Sequence, residues 1–122
     1  PFPQNLETAQ FVENTVRENG AVPATIAVLN GVLHIGLTDD EMTDLAKQPM
    51  HEIVPVDLTF AMALGRNGST TVAATMMCAH VAGIAVFAPG ASAAFTVGSK
   101  ILGTYLRTCP NFLKTPITVV CA

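Results

Sequence analysis

The segment with the clearest chemical potential is residues 67–72, Asn-Gly-Ser-Thr-Thr-Val, which places three consecutive hydroxyl side chains at the predicted start of a helix. Free backbone N–H groups at a helix N-terminus, together with hydroxyl donors, can bind a phosphate group without any lysine. Ordinary N-capping needs only one of those hydroxyls. Two interpretations therefore stay open for Ser69, Thr70, Thr71 and Val72: a phosphate site, or a simple helix cap.

Other reactive side chains give weaker signals. Cys78 and His80 lie two residues apart on a predicted helix, so their side chains diverge by about 200° and cannot share a metal ion. Lys100 and Lys114 can each act as a Schiff-base amine if desolvated, although a surface lysine is the ordinary case. His34 falls on a predicted strand at a solvent edge. We expect no metal site among these residues.

Composition limits the class of protein. The chain has 122 residues, of which 50% are hydrophobic and 12% are charged, and its formal net charge is −3. So apolar a chain is expected to collapse rather than stay disordered, and its length suits a single domain over residues 1–122. Because the net charge is negative, the composition gives no indication of the basic surface that nucleic-acid binding needs.

The charges are divided unevenly along the chain. All nine acids lie within residues 1–57, which carry a net charge of −7, whereas residues 58–122 contain four bases and no acid. The second half therefore cannot supply a carboxylate as a metal ligand or general acid. Halves of opposite charge can also attract each other or a neighbouring subunit.

Cellular context follows from cysteine usage and hydropathy. Three cysteines are too few, and odd in number, for a disulfide framework, which predicts an intracellular, reducing compartment. Residues 70–88 are almost free of ionisable groups, but they are rich in Ala and Thr and interrupted by Gly83. We therefore expect a buried helix followed by a buried strand, not a membrane span. Because the first residue is Pro1, we expect the chain to begin mid-sequence.

The elements that must position these residues follow from apolar spacing and turn signals. The first helix is predicted to run from an Asn5 cap to about Asn19, where Gly20 ends it. Its inner face comprises Leu6, Ala9, Val12 and Val16. Asn30-Gly31 between two apolar runs, 24–29 and 32–36, predicts a β-hairpin.

The remaining helices are predicted from their caps. Thr38 and Glu41 have capping-box spacing and open a short helix to about Lys47. Asp57 is predicted to cap a helix that ends at Gly65. The inward residues of that helix are expected to be Leu58, Met62 and Ala61.

Asn67-Gly68 predicts a turn, after which Ser69 or Thr70 begins an apolar helix to Ala82. Residues 84–88 and 118–121 are typical of buried strands, and a helix is expected near 99–107. Helices alternating with strands indicate a layered α/β domain.

Four separated motifs resemble the pseudouridine-5′-phosphate glycosidase family, which is related to the indigoidine synthase A group. They are Pro-Phe-Pro-Gln-Asn at 1–5, Gly-Ala-Val-Pro-Ala-Thr-Ile-Ala at 20–27, Gly-Ser-Thr-Thr-Val-Ala-Ala-Thr-Met at 68–76, and Thr-Val-Val-Cys-Ala at 118–122. The resemblance implies a layered α/β/α fold with a mixed sheet, usually a homotrimer. It also implies reversible cleavage of the C–C glycosidic bond of pseudouridine 5′-phosphate to uracil and ribose 5-phosphate.

The resemblance also implies the parts of the active site. The family is understood to hold the opened ribose as a lysine Schiff base, with a glutamate acid and a Mn²⁺-type divalent ion nearby. The glutamate segment would fall just before Pro1 and the lysine just after Ala122. The family's acidic metal-binding stretch aligns with residues 104–108, Thr-Tyr-Leu-Arg-Thr. We therefore expect no catalytic residue and no cofactor in this chain.

A second internal departure concerns phosphate. Where the family has a phosphate-binding lysine followed by Val-Ser-Arg-Arg-Asp-Leu, this chain has Glu-Ile-Val-Pro-Val-Asp-Leu at 52–58. A lysine becomes Glu52, and both arginines are lost. The Gly-rich loop with His-Arg that follows the family's Phe-Ala is replaced by Pro-Gly-Ala-Ser-Ala-Ala at 89–94. Thr71 and Val72 still match family positions that line the substrate.

Three hypotheses about function follow. The first is a degenerate, non-catalytic homologue that acts as a structural or interaction subunit, in a homo-oligomer or a larger complex. The second is a fragment of an active glycosidase. The third is a residual sugar-phosphate or nucleotide-binding module that uses Thr70 and Thr71 at the helix start.

Overall fold

The structure is a computed structural model and describes residues 2–49, 51–88 and 115–120. Four helices and six strands occur in these ranges. The helices are α1 (Gln4–Glu18), α2 (Asp39–Lys47), α3 (Pro55–Ala63) and α4 (Val72–Val81). The strands are β1 (Ile26–Leu29), β2 (Val32–Ile35), β3 (Glu52–Ile53), β4 (Gly68–Thr70), β5 (Val86–Phe87) and β6 (Thr118–Val119).

Four of the strands form one mixed sheet in the order β2-β1-β4-β3. Strand β1 pairs antiparallel with both β2 and β4, whereas β3 and β4 are parallel. Strands β5 and β6 form a separate parallel pair. The parallel pair β3–β4 is important for the site because a helix follows each of its two strands.

Helices cover both faces of the four-stranded sheet. On one face, Ala27 and Leu29 pack with residues of α2 and with Leu6 and Ala9 of α1. On the other face, Ile26 packs with Cys78 and Ala79 of α4, and Val28 packs with Ile53 and with Ala61 of α3. Alternate residues of β1 thus serve opposite faces, as side chains of a strand must. The predicted layered α/β/α fold is confirmed.

Two local predictions are confirmed in detail. Asn30 and Gly31 both have positive φ, 51° and 75°, and connect β1 to β2 in a two-residue hairpin. A β-carbon on Gly31 would collide with the carbonyl oxygen of Met62, so this turn also fits closely against the end of α3. Thr38 and Glu41 form a complete capping box at the start of α2.

The first helix differs from the prediction at its start and on its inner face. Its N-cap is Pro3, because Asn5 lies inside the helix and donates from its side chain to the carbonyl of Ala46, 3.1 Å away. Val12 is 54% exposed, and Glu13 takes its place facing inward at 5% exposure. The predicted end of the helix is confirmed, with Asn19 as C-cap and Gly20 at φ 82°.

The middle of the chain contains two further corrections. Helix α3 begins earlier than predicted, with Val54 as N-cap and Pro55 as its first residue, so Asp57 lies in the first turn and does not cap. Ala61 is buried and Leu58 half-buried as expected, whereas Met62 is 39% exposed.

Gly68 opens strand β4, so the predicted turn at Asn67-Gly68 is wrong. Strand β4 is also the reason that α4 begins at Val72 instead of Ser69 or Thr70.

The last two strands exist but are less buried than predicted. In the β5–β6 pair, Val86 and Thr118 are exposed, and Phe87 and Val119 are half-buried. The helix predicted near 99–107 and the replaced stretches at 89–94 and 104–108 lie outside the described residues. None of the helices that the structure describes is both long enough and apolar enough to cross a membrane.

Candidate functional site

Two helices begin side by side at one edge of the main sheet. Strands β3 and β4 run parallel, with Glu52 opposite Ser69 and Ile53 opposite Thr70. Shortly after this pairing the chain enters α3 at Pro55 and α4 at Val72. Helix N-termini present unpaired N–H groups and a partial positive charge, and the carboxyl ends of parallel strands are where α/β proteins place ligand sites. The edge therefore has the backbone arrangement of an anion site.

The start of α4 is the more complete of the two. Thr71 is the N-cap, and its hydroxyl oxygen accepts the N–H of Ala74 at 3.5 Å. Thr71 is buried, so its side chain is part of the helix junction. The N–H groups of Val72 and Ala73 belong to the first turn, which has no intrahelical acceptors.

The hydroxyl of Thr70 belongs to an internal network. It lies 2.7 Å from the Thr75 hydroxyl and donates toward the carbonyl of Ile26 at 3.2 Å. Thr75 in turn donates to the carbonyl of Thr71 at 2.9 Å. These bonds connect β4 to β1 and to the first turn of α4, so two of the three predicted hydroxyls contribute to holding the helix in place.

Ser69 is separated from its neighbours by the pleat of the sheet. Because successive side chains of a strand point to opposite faces, Ser69 lies on the face of Ala27 and Glu52, its partners on the adjacent strands. Thr70 lies on the other face, toward α4. The structure therefore brings Thr70, Thr71 and Val72 together at the helix start, while Ser69 stands beside a carboxylate.

The start of α3 differs in chemistry from that of α4. Its N-cap is Val54, which cannot accept a side-chain hydrogen bond, and Pro55 at the first helical position has no N–H. Val56 is 78% exposed. The charged residues that flank this start, Glu52 and Asp57, are both acidic. The family resemblance implies a lysine in place of Glu52 and arginines in place of Pro55 and Val56.

A cavity of about 250 Å³ lies on the outer side of this region. It is bounded by β3, by one side of α3 and by the connection from α3 to β4. Its lining consists of His51, Glu52, Ile53, Asp57, Phe60, Ala61, Arg66 and Asn67. The Arg66 guanidinium carbon lies 5.7 Å from the centre of the Phe60 ring, in cation–π range.

Glu13 is a buried charged residue that the sequence reasoning missed. Its carboxylate accepts one hydrogen bond from the Thr25 hydroxyl and one from Arg17, each at 2.7 Å. The contact fixes α1 to the segment that enters β1. The signal was present in the sequence, because Glu13 continues the spacing of Leu6 and Ala9 and precedes Arg17 by one helical turn.

Among the described residues, Cys78, His34 and His80 do not form a reactive cluster. Cys78 is a buried free thiol whose pKa is raised by desolvation, whereas His80 is exposed. His34 lies on the edge strand β2, as expected, with Nδ1 3.1 Å from the Glu41 carboxylate. The described part of the chain contains no group of three or more His, Cys, Asp or Glu residues able to hold a metal ion.

Comparison with known proteins identifies the family. The model of the family described as "Indigoidine synthase A like protein" matches residues 1–122. The chain belongs to this family. Pseudouridine-5′-phosphate glycosidases from Paracoccus denitrificans and Escherichia coli are 46% and 44% identical to it over 125 residues, which cover all of this chain and 41% and 40% of those proteins.

Two solved structures share the fold. The prealnumycin C-glycosynthase AlnA, solved with ribulose 5-phosphate, matches 94% of this chain and 38% of its own with a TM-score of 0.71 and 36% identity. An indigoidine synthase A-like protein from Thermotoga maritima matches 74% of this chain and 31% of its own with a TM-score of 0.69 and 26% identity. The chain thus spans less than half the length of the relatives that it matches.

Proposed function

We propose that this member of the family is a non-catalytic homologue of pseudouridine-5′-phosphate glycosidase that serves as a structural or interaction subunit. The observation that carries the proposal is the start of α3. There, Val54, Pro55 and Val56 provide no donor side chain, and Glu52 stands directly across from Ser69.

The electrostatic argument concerns the substrate's phosphate. A phosphate group near Ser69 would stand next to the Glu52 carboxylate instead of a lysine ammonium, which replaces attraction by repulsion. The N–H groups at the start of α4 oppose this repulsion only weakly, because helix-terminal charges are partial.

The subunit role is supported by the apolar surface. Phe11 on α1, Phe60 on α3 and Val81 on α4 are 71%, 58% and 87% exposed. Large exposed apolar side chains are frequent on surfaces that become buried in an assembly. We infer that copies of this chain, or other subunits, cover part of this surface, and that the full-length protein elutes as an oligomer in size-exclusion chromatography. A well-behaved monomer would contradict the subunit role.

Ribose 5-phosphate provides a direct test of the phosphate argument. Thermal unfolding of the full-length protein should be unchanged by this ligand, because a ligand raises Tm only if it binds the folded state. The variant Glu52→Lys with Val56→Arg restores two cations and should show a rise in Tm with the ligand. Asp44→Lys, which changes the charge on α2 by the same amount as Glu52→Lys, is the control and should show none. A clear shift in the unmodified protein would overturn the proposal.

An active glycosidase is the second candidate, and the extent of the identity favours it. The 46% identity to a pseudouridine-5′-phosphate glycosidase runs over the whole chain. On this account, the remaining parts of the full-length protein supply the glutamate, the lysine and a Mn²⁺-type ion, and this chain supplies scaffold. Release of uracil from pseudouridine 5′-phosphate by the full-length protein would support it.

A sugar-phosphate or nucleotide-binding module is the third candidate. Its support is the AlnA structure, a relative with 36% identity that was solved with ribulose 5-phosphate. The candidate residues are Ser69, Thr70, Thr71 and Val72 at the start of α4. If ribose 5-phosphate does raise Tm, Thr71→Val should abolish the shift, whereas Thr43→Val on α2 should leave it unchanged.

A further inference from the structure

Helix α3 lacks the polar outer face that a surface helix normally has. Ala61 and Leu58 pack into the core beneath the helix. Val56, Phe60 and Ala63 follow the spacing i, i+4 and i+7, so they form one stripe on the opposite side, and all three are exposed. We call these three residues the α3 stripe. A helix that is apolar on its outer side as well as its inner side is typical of a helix that another element covers.

The α3 stripe has a charge of each sign beside it. Asp57 is the only charged residue of α3 and lies in its first turn. Arg66 follows the other end, where its N–H bonds to the carbonyl of Ala61 at 3.0 Å and its guanidinium carbon lies 5.7 Å from the centre of the Phe60 ring. Both charged side chains are exposed, and neither forms an ion pair with another described residue. The stripe is therefore negative at its N-terminal end and positive toward its C-terminal end.

A surface with this pattern is complementary to itself. When two copies of α3 pack antiparallel about a twofold axis, the Asp57 end of each copy lies beside the Arg66 end of the other, and the two helix dipoles are favourably opposed. Ala63 is small and leaves room for the Phe60 ring of the second copy. We propose that the α3 stripe is covered by the α3 stripe of a second copy of this chain, with an Asp57–Arg66 ion pair at each end of the contact.

This inference rests on the proposed subunit role and names the partner. A twofold contact makes every interaction twice and closes after two copies. Because a helix of nine residues offers a small contact area, we expect a weak association that depends on protein concentration. If the homotrimer implied by the family resemblance also forms, the α3 contact joins two trimers.

Sedimentation equilibrium of the full-length protein tests the apolar part of the contact. Phe60→Asp should halve the mass, from dimer to monomer or from hexamer to trimer, because buried aromatic residues contribute most to such contacts. Phe11→Asp adds the same charge at an exposed phenylalanine on α1 and should leave the mass unchanged. An oligomer that Phe60→Asp leaves intact, or that both variants disrupt equally, would overturn the α3 contact and leave the subunit role standing. A monomeric unmodified protein would overturn both.

An exchange of charges tests the ion pairs. Asp57→Lys and Arg66→Glu each place like charges opposite one another across the contact, and each variant alone should raise the dissociation constant by about tenfold. An equimolar mixture of the two variants restores opposite charges at both ends and should associate as tightly as the unmodified protein, which pairing within one copy cannot produce. Asp44→Lys on α2 is the charge control and should have no effect. Unweakened association of either single variant, or no recovery in the mixture, would overturn the arrangement, with circular dichroism to confirm that each variant is folded.

Discussion

Helices α3 and α4 start next to each other from parallel strands, yet the side chains at the two starts differ in their ability to form hydrogen bonds. The start of α4 has a capping threonine, Thr71, and a hydroxyl network that reaches β1 through Thr70. The start of α3 has Val54, Pro55 and Val56, with no side-chain cap. Both helices pack against the sheet, but α4 buries five residues whereas α3 buries Ala61.

The comparison separates what supports the fold from what supports a ligand. Thr70 and Thr71 make contacts within the protein, and these contacts would be needed whether or not a phosphate binds. The start of α3 has no side-chain cap, and the family resemblance implies a lysine and two arginines there in place of Glu52, Pro55 and Val56. If the protein is a non-catalytic homologue, as proposed, Thr70 and Thr71 are retained because the fold needs their hydrogen bonds. The residues at the start of α3 differ from those of the family because no phosphate has to be bound there.

The largest effect on the free energy of unfolding is expected from forcing apart β3 and β4, the strands that lead into the two helices. A β-carbon on Gly68 would lie 2.5 Å from the carbonyl oxygen of His51 and 2.8 Å from the Ile53 side chain. Gly68→Ala should therefore push β4 away from β3 and lower the free energy of unfolding by about 3 kcal/mol. Urea unfolding measures the loss.

Gly36→Ala is the control for that experiment. Gly36 has φ 87°, but nothing lies within 4 Å of the added β-carbon, so only backbone strain of about 1 to 2 kcal/mol is expected. If the two glycine variants lose equal stability, close contact between β3 and β4 does not hold the edge together.

An intermediate effect is expected from the hydroxyl network of α4. Thr70→Val removes the bonds to the Thr75 hydroxyl and the Ile26 carbonyl and should cost about 1 to 2 kcal/mol. Thr43→Val removes a solvent-exposed hydrogen bond from the Thr43 hydroxyl to the carbonyl oxygen of Asp39 within α2. It should lower the free energy of unfolding very little. A Thr70→Val protein as stable as the original in thermal unfolding would mean that this hydroxyl is kept for a ligand instead.

A small gain is expected from giving α3 the cap that it lacks. Val54 already has the backbone angles of an N-cap, φ −83° and ψ 160°. Val54→Thr keeps the shape of the side chain and adds an acceptor for the first-turn N–H groups, which should stabilise the protein by about 0.5 to 1 kcal/mol. Val56→Thr, placed inside the helix, should give no gain by urea unfolding; an equal gain from both would contradict the capping explanation.

The smallest effect is expected at α2, whose capping box is complete. Hydrogen bonds from the Thr38 N–H and hydroxyl to the carboxylate hold the pKa of Glu41 below the ordinary value of a glutamate, with a lesser contribution from His34. A lowered pKa means stability that is fully present above about pH 4.5 and is lost as pH falls through the folded-state value. Glu41→Gln should therefore flatten the acid limb of the stability–pH curve. An unchanged acid limb would show that the carboxylate does not contribute.

Local signals in the sequence predicted a substantial part of this fold. The Asn30-Gly31 hairpin and the Thr38–Glu41 capping box each depend on a few adjacent residues, and both are confirmed. The helix caps at Asn5 and Asp57 were wrong because each helix begins earlier, with Pro3 as the N-cap of α1 and Pro55 as the first residue of α3. Strand β4 was missed because three residues carry too little strand propensity to predict it. Its pairing with β1 and β3 stabilises the extended conformation instead.

The candidate site was harder to predict than the fold. Sequence order suggested that Ser69 and Thr70 act together, but the pleat sends them to opposite faces. Glu52 and Ser69 are 17 positions apart in sequence, and only the parallel register makes them neighbours. The cavity beside α3 likewise combines residues from β3, α3 and the following turn, so no single motif encodes it.

The most direct test of the proposed function uses the full-length protein. It should be incubated with pseudouridine 5′-phosphate and Mn²⁺ while free uracil is measured, with circular dichroism to confirm that the sample is folded. The account predicts no uracil above the protein-free control. Uracil release that rises in proportion to protein concentration would contradict it and would establish the protein as an active glycosidase.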